Sequence, residues 1–133
     1  MTALVQDRKT PTRPGDLFSR PVAASTKIFA GSLVAINASG FLVPGSVSTT
    51  LIVQGRAEEY VDNSAGGNGD ASAQVRRGVF LYDNDGTVAL ADVGKTAYIV
   101  DDQTVADNDG SSARSAAGVI EDVDSDGVWV RID

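Results

Sequence analysis

The sequence predicts an all-β protein: a compact β-barrel or sandwich of short antiparallel strands, carrying an extended N-terminal arm. Two observations predict it. Short apolar runs recur at intervals of about eight to twelve residues with turn residues between them, which is the pattern of barrels and sandwiches. Three of the four prolines fall before residue 22, at Pro11, Pro14 and Pro21, where they hold the chain extended and keep it out of helix. With 133 residues the chain is of single-domain size, read as an arm over residues 1–21 and one β-rich body over 22–133.

The elements follow in order. Residues 1–21 hold too few apolar side chains to fold alone and read as an arm able to add to the edge of a partner's sheet. KIFAGSLVAINASGFLVPG (27–45) gives two strands around a turn at Asn37–Gly40. TLIVQGRAEEYVDN (50–63) gives a further strand pair or one bent strand, with Gly55 as the bulge. SAGGNGDAS (64–72), with no large side chain, is a loop. In AQVRRGVFLYDN (73–84), Val75, Arg77, Val79 and Leu81 alternate with Arg76, Gly78, Phe80 and Tyr82, and large apolar residues in both sets predict burial on both faces. Asn84–Gly86 turns the chain, and ALADVGKTA (89–97) is the only stretch able to form a helical turn. TAYIVDDQTVAD (96–107) is a hairpin around Asp101-Asp102. In the closing pair, Val128, Val130 and Ile132 face one way and Trp129 and Arg131 the other.

Composition removes much chemistry. The chain has neither cysteine nor histidine, so disulfides, thiolate metal sites, thiol nucleophiles and serine–histidine relays are excluded. Ser–Lys or paired-carboxylate catalysis would need an arrangement that no stretch displays, and the expectation is a protein that is not an enzyme and carries no cofactor or metal. A net charge of −7 argues against a nucleic-acid partner. No apolar run approaches the ~20 residues of a membrane span. The charged start MTALVQDRKT lacks the apolar region of a signal peptide, so synthesis in a cytoplasm is expected. Charge is uneven: in residues 1–21, Arg8, Lys9, Arg13 and Arg20 oppose Asp7 and Asp16, a net of +2, which leaves −9 for the remainder.

The nearest approach to a metal motif is Asp122-Val-Asp124-Ser-Asp126-Gly127, which occupies the first, third, fifth and sixth positions of a calcium loop. The twelfth position is Asp133, shorter than the glutamate such loops use, and both flanks are strand-like where helices are needed. A hairpin turned by Asp126-Gly127 explains the same residues, as turn chemistry explains Asp83–Gly86 and Asp107–Gly110. Whether Asp122, Asp124 and Asp126 hold a weak cation is left open. Arg76 and Arg77, adjacent on a strand, point to opposite faces, and one of them is expected to pair with Glu58, Glu59 or Asp62. Glu58-Glu59 diverge for the same reason and make no carboxylate pair for glycoside hydrolysis. VGKT around Lys95 lacks the upstream glycine of a phosphate-binding loop, since that position is Ala89. Trp129 reads as a core or interface anchor.

Taken together, AGSLVAINASGFLVPG, VRRGVFLYDN, ADVGKTAYIVDDQTVA and AGVIEDVDSDGVWVRI resemble the small capsid decoration, or cement, proteins of tailed bacteriophages and prophages. The resemblance spans residues 27 to 132 and leaves the N-terminal arm unmatched. It implies a β-rich homotrimer on the exterior of a virion, where it binds the major capsid protein and locks neighbouring subunits together. Arg8, Lys9, Arg13 and Arg20 are the expected capsid-contact residues of the arm, and Phe80, Tyr82 and Trp129 the expected trimer contacts. The competing expectation is a carbohydrate- or receptor-binding β-module of a fibre, which would need several exposed aromatics on one face although only 6% of residues are aromatic.

Overall fold

The computed structural model describes residues 2–13 and 15–133. Twelve strands form: β1 (Leu17–Pro21), β2 (Thr26–Ile28), β3 (Leu33–Ile36), β4 (Leu42–Pro44), β5 (Ile52–Ala57), β6 (Val61–Asn63), β7 (Ser72–Arg76), β8 (Gly78–Asn84), β9 (Thr96–Ile99), β10 (Thr104–Ala106), β11 (Ala116–Asp124) and β12 (Gly127–Ile132). The helical turn expected between residues 89 and 97 is a single 3₁₀ turn at Leu90–Asp92.

The strands divide into two lobes. β10, β8, β12, β11 and β9 close into a five-stranded barrel, and β1, β7, β5, β3 and β4 form a five-stranded sheet, with the β2–β6 ribbon beside it. All ladders within the sheet and the ribbon are antiparallel, as are those of the barrel except β8–β10, which runs parallel and completes the closure. Just past β1, Val22 makes a parallel bridge to Leu42 of β4, so the two edges of the five-stranded sheet approach one another.

Each lobe has its own core. The barrel encloses Phe80, Tyr82, Ala97, Ile99, Val105, Ala117, Ile120, Val128, Val130 and Ile132, joined by Leu33 and Ala35 from the sheet. The second core gathers Val22, Ile28, Val34, Leu42, Ala57, Ala73 and Val75. Successive side chains of a strand point to opposite faces, and β3 uses this alternation to feed both cores: Leu33 and Ala35 go to the barrel, Val34 to the other side. Two hydrogen bonds reinforce the seam. Leu33 N–H donates to the Asp102 carbonyl at 2.8 Å, and Leu51 N–H donates to Ser115 Oγ at 3.1 Å.

Bulges bend the strands where the lobes need curvature. The β3–β5 register slips at Gly55, the position expected to bulge: Val34 pairs with Gly55 and Ala35 with Val53. A side chain on Gly55, at φ 151°, would run into the Arg76 carbonyl of the adjacent strand. Turns follow side-chain chemistry. Asn37 Oδ1 accepts from the amides of Ser39 and Phe41 at 3.0 and 3.1 Å, closing the β3–β4 hairpin, and Asn84 Oδ1 accepts from Gly86 and Val88 at 2.9 and 3.1 Å.

Residues 73–84 differ from the sequence expectation in two ways. They are two strands in different lobes, β7 in the sheet and β8 in the barrel, with Arg77 alone between them. Within β8 only one face is buried: Phe80 and Tyr82 are 8% and 4% exposed, whereas Val79 and Leu81 are 43% and 40% exposed. The pairing explains this, because Tyr82 stands opposite Val128 and Phe80 opposite Val130, whose side chains already line the barrel interior.

Candidate interaction surface

The arm divides at Gly15. Residues 2–13 have no strand or helix and every one of them is exposed, Leu4 and Val5 included. Among the described residues, Arg8, Lys9 and Arg13 have no carboxylate at ion-pair distance. Beyond them, Leu17–Pro21 is β1 and belongs to the sheet, paired along its whole length with β7 from Leu17↔Arg76 to Pro21↔Ser72. Arg20 is therefore a fixed residue of the body and the other three basic residues are not.

Arg20 sits in a built environment. Its guanidinium lies 4.4 Å from the centre of the Phe18 ring, two residues earlier on the same strand face. Arg77 lies over the same ring at 4.2 Å. Arg20 Nε donates to Gln54 Oε1 at 2.8 Å, and Gln54 is itself buried and donates its amide to the carbonyls of Ile52 and Val53. Arg77 Nη1 donates to the Gly15 carbonyl at 3.0 Å. Burial, followed by the charges of Arg77 and Arg13, pushes the Arg20 guanidinium below its ordinary pKa. The sequence marks Arg77 only as one of a divergent pair of arginines; its place at this corner depends on the break between β7 and β8, which has no marker beyond Gly78. Phe18 was legible in principle, since strand residues two apart share a face.

A second cluster is satisfied internally. Arg56 and Arg76 are opposite one another in the β5–β7 ladder and share Glu58 Oε1 at 2.7 and 3.5 Å. Arg76 also reaches Asp16 at 3.2 Å, while Arg56 stacks on Phe80 at 4.5 Å. The ion pair expected for one of the two adjacent arginines is that of Arg76 with Glu58.

The residues expected at a subunit contact are separated. Phe80 and Tyr82 are built into the barrel core of a single chain. Trp129 is half-buried on the outside, opposite Leu81 in the β8–β12 ladder, and Val79 stands opposite Arg131. The exposed apolar side chains of that outer face are thus Val79 and Leu81.

The acidic run at the chain end forms the tip of the β11–β12 hairpin, with Ser125 and Asp126 as the turn and Gly127 paired to Asp124. Asp124 uses both carboxylate oxygens there: Oδ1 accepts from the Asp126 amide at 2.8 Å and Oδ2 from Trp129 Nε1 at 3.0 Å. The indole bond first, then the Asp126 amide, holds its carboxyl below the usual carboxylate range. Asp122 Oδ1 accepts from the Val123 amide at 2.8 Å. Among the described residues no three potential ligand side chains converge on one point, and no helix is long and apolar enough to cross a membrane.

One open groove of about 470 Å³ is lined by Phe29, Ala30, Gly31, Ser32, Asp102 and Gln103. Beside it Phe29 and Tyr60, 58% and 52% exposed, stack with ring centroids 5.4 Å apart.

The fold and these surfaces define an all-β protein of two fused lobes, with a closed barrel, a curled sheet and a free basic arm. Comparison of the chain with protein-family models, curated proteins and solved structures returns no match.

Proposed function

We propose that the protein is a structural virion component that binds the outer face of an assembled phage capsid as a trimer and cements neighbouring major capsid subunits. The observation that carries the reading is the free arm: twelve exposed residues, 2–13, with cations that have no partner among the described residues, attached to a closed acidic body. Fully extended, such a segment spans at most about 40 Å, enough to cross a seam between subunits. Surface ion pairs contribute only ~0–1 kcal/mol each, so Arg8, Lys9 and Arg13 steer the arm, and backbone pairing with a capsid strand and burial of Leu4 and Val5 hold it. Binding the assembled lattice in preference to free subunits then stabilises the shell at every occupied site by mass action.

The test compares the full chain with a deletion of residues 2–13, which stops short of β1 and leaves the sheet intact. Particles purified with each are quantified by mass spectrometry against the major capsid protein. The expected result is about one copy per capsid subunit for the full chain and loss of occupancy for the deletion. Undiminished occupancy of the deletion rules out the arm, and a handful of copies per particle rules out decoration of the lattice.

The groove beside Phe29 and Tyr60 favours a second reading, a carbohydrate-binding module. Sugars stack on exposed aromatic faces, and Asp102 and Gln103 would supply the polar contacts. Binding of capsid-free glycans that is lost in Tyr60→Ala would support it over the first.

A further inference from the structure

The corner formed by Phe18, Arg20 and Arg77 has the makings of a binding site rather than of a structural ion pair. Both guanidiniums are fixed: one by the buried Gln54 amide, the other by the Gly15 carbonyl, and both by the Phe18 ring. Among the described residues neither has a carboxylate within 4.0 Å. Arg56 and Arg76 differ in this respect: they share Glu58, and Arg76 also reaches Asp16. A guanidinium carries five N–H donors in a planar fork. Each of these two retains donors after its internal bonds, at a half-buried position where solvent screens less than on an open surface. Like charges have been brought together here, Arg13 included: burial first, and then the charges of Arg77 and Arg13, lower the pKa of the Arg20 guanidinium.

We propose that Arg20 and Arg77, held on Phe18, form a receptor for carboxylates displayed on an acidic segment of a protein partner. A planar fork matches a carboxylate with two parallel hydrogen bonds. The net −9 of residues 22–133 repels an extended polyanion such as nucleic acid, whereas a short acidic segment needs to meet only the local positive field. The inference takes from the proposed function only that the partner is a protein.

The experiment is a titration of the full chain followed through the arginine Nε–Hε resonances by NMR. The probes are a capped peptide of Asp and Gly, its Asn counterpart, inorganic phosphate and an oligothymidylate. The Asp peptide is expected to shift Arg20 and Arg77 saturably while the Asn peptide does not. Affinity should fall about tenfold in Arg77→Gln or Arg20→Gln, as for loss of a charge-assisted hydrogen bond, and stay unchanged in Lys27→Gln, which removes one exposed charge elsewhere. A non-saturating shift, an equal response to the Asn peptide, or saturation by phosphate or oligothymidylate alone overturns the proposal. The wild-type titration decides even where a variant does not fold. Because it uses the free protein, its failure leaves particle occupancy standing, and a failure of occupancy leaves the titration standing.

Discussion

Inside the barrel, the hydroxyl of Tyr82 has no hydrogen-bond partner among the described residues. A buried donor without a partner costs about 1–3 kcal/mol, and the same burial drives the phenol well above its ordinary pKa. Tyr82→Phe keeps the ring that packs opposite Val128 and removes the liability. The variant is expected to be more stable by about 1 kcal/mol in urea unfolding. The pH dependence has a definite sign. The folded state holds the proton more tightly than the unfolded state, so this contribution is fully present below the ordinary tyrosine value of about 10 and is lost as pH rises above it. Wild type should lose stability on that alkaline side more steeply than Tyr82→Phe, and identical slopes would show that the phenol is solvated. Nothing in the local sequence marks Tyr82 out from Leu81. Both are large apolar residues in an alternating run, and only the register against β12 decides which of them enters the core.

Among elements, β5 illustrates what a single glycine does. At Gly55 the strand bulges against β3 and lies against the β7 backbone, leaving no room for a Cβ beside the Arg76 carbonyl. Gly55→Ala should therefore lower stability by roughly 2 kcal/mol or more through backbone strain. The midpoint of denaturant unfolding reports it, with the slope unchanged; a midpoint equal to wild type would mean that the bulge is absent. This bulge was legible, since an isolated glycine in an apolar strand pattern signals one. So were the Asn37 and Asn84 turns, whose side chains close them locally. The passage from β7 to β8 was not. Arg76, Arg77 and Gly78 continue an alternating pattern in which Gly78 signals a bulge at most, and the switch of sheet arises from long-range pairing, β7 with β1 and β8 with β12.

For the whole molecule, the two cores predict one transition. β3 contributes Leu33 and Ala35 to one and Val34 to the other, so neither lobe keeps its interior when the other opens. Calorimetry should give a single endotherm whose calorimetric and van't Hoff enthalpies agree. Leu33→Ala, expected to cost ~2–5 kcal/mol, and Val34→Ala should each shift that one endotherm. Two resolved endotherms would mean that the lobes are independent. The all-β class was readable from the spacing of turns and strands, because each hairpin is local. The division into a barrel and a sheet was not, because it rests on the parallel β8–β10 pairing and on the Val22–Leu42 bridge, which join residues about twenty apart along the chain.

The arm enters the body at Leu17, beside Arg76, the end of β7 that leads straight into the barrel. A pull on a tethered arm therefore loads the β1–β7 ladder at one end, in the geometry of a zipper, where the pairs separate in succession. That end is where the chain places its fastenings: Asp16 on Arg76, Arg77 N–H on the Asp16 carbonyl, and Arg77 over Phe18. Tension applied through the arm would meet a latch before it met the first tooth.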